Sequence, residues 1–98
     1  MRMMLKFQVP VDAGNELMRS GRLAKVMGDL MEQLRPEASY FHSDETGQRG
    51  GYIVFDLEDP SLMPTIAEPL FQECHASLKF VPVMDMSDLQ RALTRLQQ

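Results

Sequence analysis

Alternating and helical patterns of hydrophobic residues divide the chain into strands and helices. Residues 3–9 alternate between apolar and polar side chains, which predicts a half-buried β-strand. Residues 15–34 carry apolar side chains at three- and four-residue steps, which predicts an amphipathic helix capped by Asn15. Because glycine weakens a helix by about 1 kcal/mol relative to alanine, we expect Gly21 or Gly28 to mark a bend in this helix.

Two stretches rich in β-branched and aromatic residues, 38–43 and 51–57, predict a β-hairpin joined by the polar segment 44–50. We interpret Gly50 and Gly51 as the residues that let the hairpin turn, because glycine adopts a positive φ without strain. The alternative is a phosphate-binding loop, but such a loop precedes a helix and ends in Gly-Lys-Ser or Gly-Lys-Thr. This pair precedes a strand and lacks that ending.

The second half of the chain predicts a helix, a strand and a terminal helix. Asp59 caps the first of these helices, and Pro69 lies inside its pattern, where we expect a kink or the end of the helix. Residues 76–83 alternate as a fourth strand. The terminal helix begins with the spacing of a capping box between Ser87 and Gln90.

The order β-α-β-β-α-β-α predicts the α+β class: one ferredoxin-like domain over residues 1–98, with a C-terminal helix added. The expected sheet is antiparallel, in the order 4-1-3-2, with both main helices on one face and the other face open. The strand pattern assigns eleven residues to that open face: Met4, Lys6, Gln8, Tyr40, His42, Tyr52, Val54, Asp56, Ser77, Lys79 and Val81. Such a mixture of polar, aliphatic and aromatic groups predicts a homodimer formed through this face, since two-fold dimers are the commonest soluble oligomers.

Charge and hydropathy exclude several classes of partner. The net charge is −4 and the basic residues are scattered, which argues against nucleic acid and against an anionic membrane surface. No apolar run approaches the roughly 20 residues of a membrane span. One cysteine and no recognisable signal peptide predict a cytoplasmic location.

Three stretches carry a resemblance to a known group: residues 15–41, 50–71 and 76–93, which together cover most of the chain. The chain resembles small uncharacterised bacterial proteins of the dimeric α+β barrel type. More widely, the fold is similar to that of muconolactone isomerases, antibiotic-biosynthesis-type monooxygenases and stress-response barrel proteins. The resemblance implies a dimeric barrel and carries no activity over to single residues.

His42 and Tyr52 are the candidate catalytic residues. They are expected near each other on the open face, with Asp44 on the same side if the strand continues that far. A histidine between a carboxylate and a phenol can act as a general base. The alternative interpretation is a polar residue at a strand end or at the rim of a dimer.

Four more open-face residues are candidates for ligand binding: Lys6, Tyr40, Asp56 and Lys79. Lys6 and Lys79 are neighbours if the first and fourth strands pair, and together they would receive a carboxylate or an enolate. The alternative is that they pair with solvent or with an acid such as Asp56.

No metal site or cofactor is expected. Cys74 and His75 are adjacent, so as neighbours in a strand they would point to opposite faces, and a packed, inert Cys74 is the favoured interpretation. The sequence therefore predicts a homodimeric binding or accessory module. The alternative is a cofactor-independent isomerase or monooxygenase of a small organic molecule, which requires a closed pocket around His42 and Tyr52.

Overall fold

The computed structural model describes all of residues 1–98, and its elements follow the predicted order with the first helix divided in two. The bounds are β1 (Arg2–Val9), α1 (Val11–Ser20), α2 (Arg22–Leu34), β2 (Ala38–Ser43), β3 (Arg49–Asp56), α3 (Met63–Cys74), β4 (Ser77–Pro82) and α4 (Met86–Leu96). The four strands form one antiparallel sheet in the order β2-β3-β1-β4. This is the predicted order read from the opposite edge, so the ferredoxin-like topology is confirmed.

One face of the sheet packs against helices and forms the core. On β1 the predicted apolar face is confirmed, because every second residue from Met3 to Val9 is buried. Ile53 and Phe55 extend the same face on β3. The helices cover it with a second set of buried side chains: Leu17, Leu30, Ile66, Leu70 and Cys74. The other face of the sheet carries no helix, as the strand pattern predicts.

The first helix starts earlier than predicted. It begins at Val11, directly after Pro10, and Asn15 lies inside it, so the predicted Asn15 cap is wrong. Pro10 has φ −59°, which suits the start of a helix, and its carbonyl oxygen accepts a hydrogen bond from the Gly14 N–H at 2.9 Å. The bend predicted at one of two glycines lies at Gly21, whose φ of 77° ends α1 before α2 begins.

The hairpin turn lies before the Gly50–Gly51 pair. Gly47 supplies the positive φ of 89°, while Gly50 and Gly51 belong to β3 and have no positive φ, so the predicted turn role of that pair is wrong. The Asp44 carboxylate accepts hydrogen bonds from the backbone N–H groups of Thr46 and Gln48. This side chain therefore organises the turn, which is how a short carboxylate nucleates a chain reversal.

The second main helix has the predicted start and passes through its proline. The Asp59 carboxylate accepts from the Ser61 N–H and begins a 3₁₀ turn at Pro60–Leu62 that leads into α3. The predicted end or kink at Pro69 does not stop the helix, which continues to Cys74. Pro69 and Thr65 both lie on the solvent side of α3, so the backbone hydrogen bond that proline removes is lost at an exposed position and not in the core.

The terminal helix is capped by a different pair from the predicted one. Asp85 accepts from the Asp88 N–H, and Asp88 accepts from the Asp85 N–H, so the capping box is Asp85–Asp88 and not Ser87–Gln90. The Arg2 guanidinium lies 3.2 Å from the Asp85 carboxylate and 3.5 Å from that of Asp88. This contact joins the start of α4 to the start of β1.

Candidate functional site

The open face of the sheet is organised in rows that cross all four strands. In one row Tyr40 pairs with Tyr52, Tyr52 with Lys6, and Lys6 with Lys79. The next row contains His42, Gly50, Gln8 and Ser77. The register therefore brings His42, Tyr52, Lys6 and Lys79, which lie far apart in sequence, onto adjoining positions of one face.

A depression of about 260 Å³ lies on these two rows. Its lining consists of Lys6, Phe7, Gln8, His42, Gly51, Tyr52, Ser77, Leu78 and Lys79. Four of the six predicted site residues therefore meet in this sheet-face depression. Gln8 and Ser77 are polar lining residues that the sequence places on the correct face without marking them as part of a site.

Gly50 opens the space for the His42 ring. A methyl group at Gly50 would collide with the carbonyl oxygen of Phe7 and would lie 3.2 Å from Cε1 and 3.3 Å from Nε2 of His42. Gly51 has the same role on the core face, where a methyl group would lie 2.9 Å from the ring of Phe7 and 3.2 Å from that of Phe41. The glycine pair thus removes one side chain from each face of β3.

The aromatic and cationic groups of the depression contact one another. The rings of His42 and Tyr52 have their centroids 5.5 Å apart, at an interplanar angle of 41°. The Lys6 ammonium lies 5.9 Å from the centroid of the Tyr52 ring, within the range of a cation–π contact. Neither Lys6 nor Lys79 forms an ion pair with an acidic side chain. The depression is therefore positively charged and is not neutralised by the chain itself.

Two of the predicted site residues lie outside the depression. Tyr40 is the outermost member of its row, on the edge strand β2, and is exposed. Asp56 lies at the other end of β3, where its carboxylate accepts a hydrogen bond from the Met1 ammonium at 2.7 Å. Asp56 is thus not the partner of the two lysines.

The carboxylate expected beside His42 is also absent from the site. Asp44 belongs to the hairpin turn, where the Thr46 hydroxyl, followed by the N–H groups of Thr46 and Gln48, holds the pKa of Asp44 below its ordinary value of 3.8. Its acceptor oxygens are used within the turn, so no carboxylate orients His42. The expectation that His42 lies between a carboxylate and a phenol is therefore wrong, because the Asp44 carboxylate bonds within the turn.

Cys74 and His75 do not form a site. Cys74 is fully buried at the end of α3, as predicted, and burial raises the pKa of its thiol. His75 follows in a left-handed conformation, with φ 53°, and is exposed, so the two residues end a helix and are not neighbours in a strand. No group of three or more His, Cys, Asp or Glu side chains is arranged to hold a metal ion.

Comparison with known families identifies the family to which the chain belongs. A family model matches residues 1–97. The chain belongs to that family, Domain of unknown function (DUF3303). No curated protein matches this DUF3303 domain.

Among solved structures, the DUF3303 domain is similar to a formyltetrahydrofolate deformylase from Pseudomonas putida KT2440. The two share 12% sequence identity at a TM-score of 0.56, over 85% of this chain and 29% of the deformylase chain. At this identity the likeness concerns the fold alone, and this chain spans less than a third of that protein's length. None of the helices of the DUF3303 domain is both long and apolar enough to cross a bilayer.

Proposed function

We propose that this DUF3303 domain is a homodimeric binding module whose open sheet face binds a small organic anion. The observation that carries the proposal is the pair formed by Lys6 and Lys79, which are opposed on neighbouring strands without a carboxylate partner. A carboxylate placed between two ammonium groups gains charge-assisted hydrogen bonds from both. Tyr52 and His42 supply ring surface for an organic, planar part of the same ligand.

The row next to the depression favours a second copy as the cover of this face. It contains Ala38, Val54, Met4 and Val81, which are paired across the four strands and half-buried in the single chain. Because an apolar row lies beside a cationic depression, the same face could contact a second subunit through the row and enclose a ligand in the depression. Two such faces brought together would oppose their lysines, and a bound anion offsets that repulsion.

Binding without chemistry is favoured over the isomerase or monooxygenase alternative by the surroundings of His42. A general base is held by a partner that fixes its ring, and no carboxylate contacts this histidine. His42 is exposed and Tyr52 is 41% exposed in the single chain, so the closed pocket that catalysis requires would need the second subunit.

Light scattering and thermal shifts test the two parts of the proposal. At micromolar protein we expect twice the 11.2 kDa of the single chain, and we expect Val54→Asp to lower that mass by placing a charge in the apolar row. A panel of small aromatic and aliphatic carboxylates should raise the melting temperature of the wild type. Lys6→Gln and Lys79→Gln should remove that rise.

Lys25 provides the matched control, since it is the only other lysine of the chain and lies on α2, paired with Asp29 at 3.0 Å. Lys25→Gln should keep the full ligand-induced shift. Equal shifts in the Lys25 and Lys79 variants would remove the lysines from the site. A monomeric mass at these concentrations would contradict the dimer, and conversion of a bound compound, measured by mass spectrometry, would favour the enzyme.

A further inference from the structure

The terminal helix α4 exposes an apolar stripe that does not pack against the core of its own chain. The stripe consists of Met86, Leu89, Leu93 and Leu96, which repeat at steps of three and four residues, as in helices that pack against another element. Leu89, Leu93 and Leu96 are 39%, 45% and 80% exposed, and α4 contains no buried residue. The helix is nevertheless well anchored, because its Asp85–Asp88 capping box binds Arg2.

The exposed surface of the chain is larger than that of a compact monomer. A folded monomer of 11.2 kDa is expected to expose about 5,700 Å², whereas this chain exposes 6686 Å². Its radius of gyration is 15.8 Å, against about 13 Å for a compact domain of 100 residues. The excess of roughly 1,000 Å² is close to the ~800 Å² that one subunit buries in a stable dimer. The excess surface is therefore of the size that a second subunit would cover.

A second unpartnered apolar surface lies at the edge of the sheet. Phe41 is on the helix-facing side of β2, with its ring centroid 6.4 Å from that of Phe7, and yet it is 54% exposed because the helices leave a groove beside it. The resulting β2-edge groove has a volume of about 660 Å³, and its apolar lining includes Val9, Met18 and Met27.

The groove and the α4 stripe lie at opposite ends of the molecule. The groove is at the end of the sheet where Val9, Ser43 and Arg49 meet, and α4 begins at the Arg2 end. Arg2 and Val9 are separated by about 23 Å along a strand, whereas the eleven residues of α4 span about 16 Å. With its first turn held by Arg2, α4 does not reach the groove of its own chain.

We propose that the α4 stripe of one subunit packs into the β2-edge groove of a second copy, and that the two subunits exchange these helices. A two-fold axis that crosses the strands places the Arg2 end of one sheet over the Val9 end of the other. One symmetric operation then fills both grooves and covers both stripes, which makes the second copy the single occupant that accounts for both apolar surfaces. His42 lines both the groove and the sheet-face depression, so the docked helix also closes one side of the ligand site.

This contact is additional to the sheet-face contact of the proposed function and is tested separately. Phe41→Cys and Leu93→Cys are introduced into different samples, which are mixed and oxidised, and intact mass spectrometry identifies the mixed disulfide. Docking raises the effective concentration of the two thiols from micromolar to millimolar, so the mixed disulfide should form roughly a thousandfold faster than by random collision. The native Cys74 is fully buried and does not compete.

Arg91→Cys provides the matched control, because Arg91 lies on the polar face of the same helix. Equal rates for the Arg91 and Leu93 variants, or an intrachain disulfide in the Phe41→Cys/Leu93→Cys double variant, would overturn the helix exchange.

Leu93→Asp should weaken the dimer without changing the circular dichroism of the monomer. Suppose that Leu93→Asp keeps both the dimer and carboxylate binding, and that the Phe41→Cys and Leu93→Cys samples form no mixed disulfide. The helix exchange then fails and the proposed function stands. If the mixed disulfide forms at the docked rate while no carboxylate shifts the melting temperature of the wild type, the helix exchange stands and the proposed function fails.

Discussion

Lys6 and Lys79 lie directly opposite each other on β1 and β4, and neither forms an ion pair. Like charges opposed across two strands destabilise a sheet by roughly 0.2–1 kcal/mol. No acid neutralises this pair, so we expect the repulsion between the two ammonium groups to lower the stability of the ligand-free chain.

Removing one of the two lysines should therefore stabilise the ligand-free chain. We expect Lys79→Gln to raise the free energy of unfolding by about 0.2–1 kcal/mol at low salt, measured by urea denaturation. The gain should shrink in high salt, because exposed charges are screened. Lys25→Gln should not be stabilising, since it removes an (i, i+4) pair with Asp29. A salt-independent gain would show that charge repulsion is not its cause.

The same substitution should have opposite effects at two glycines of the first helical segment. Gly28 lies inside α2 with open space around it, so Gly28→Ala should stabilise the chain by about 0.5–1 kcal/mol through helix propensity. Gly21 has φ 77°, so Gly21→Ala should destabilise it by about 1 kcal/mol. Urea midpoints at an unchanged m-value measure both effects, and two shifts of the same sign would contradict the break between α1 and α2.

A methyl group should not be tolerated at Gly51, although alanine normally strengthens a strand relative to glycine. The added carbon would lie 2.6 Å from the Tyr40 carbonyl oxygen and 2.9 Å from the Phe7 ring. We expect Gly51→Ala to lower the free energy of unfolding by about 1–3 kcal/mol, the usual cost of overpacking. A neutral result in urea denaturation would show that both the β2 backbone at Tyr40 and the Phe7 ring can move away from the added carbon without cost.

The capping box of α4 should be lost in acid, at a pH below the ordinary pKa of an aspartate. The Asp88 N–H, and then Arg2, hold the pKa of Asp85 below its ordinary value of 3.8. Since the folded value is the lower one, the cap stabilises α4 above pH 3.8 and is lost as the pH falls through the folded value. The Asp88 amide resonance should report this midpoint in an NMR titration. Asp85→Asn should abolish that titration, and a midpoint at or above 3.8 would contradict the cap.

The single thiol should be unreactive in the folded chain. Burial, followed by the nearby Glu73 carboxylate, raises the pKa of the Cys74 thiol above its ordinary value of 9.0, so the reactive thiolate is scarce at pH 8. Labelling by a disulfide reagent should follow opening of the core and become fast in urea. The exposed thiol of Leu93→Cys gives the reference rate in the same protein, and equal labelling of both thiols would show that the end of α3 is open.

Strand faces could be predicted from the sequence because their alternation is strict. Leu5 and Phe7 point to the core, while Lys6 and Gln8 point away, and pairing the strands was enough to bring Lys6 beside Lys79. Asp44 could not be placed in this way. The alternation predicts that it continues β2, but its carboxylate accepts hydrogen bonds from the N–H groups of the turn, which a strand pattern does not reveal.

Helix ends were predicted less well because more than one residue fits the same rule. Ser87 and Asp85 both offer a cap at the spacing required, and Arg2, far away in sequence, contacts the Asp85 box. Likewise, no local signal distinguishes Gly21 from Gly28 as the site of the bend. The exposure of Phe41 was not predictable either, since it depends on how far the helices extend across the sheet.

Because every buried residue precedes Ser77, the polypeptide after β4 is separable from the folding unit. Loss of residues 84–98 would leave the core intact, so a deletion or exchange of this segment during evolution would not have to pass through an unfolded ancestor. The residues that build the core and the residues of α4 are therefore encoded in separate parts of the chain, so a substitution on the exposed side of α4 can change what that helix contacts without changing the fold.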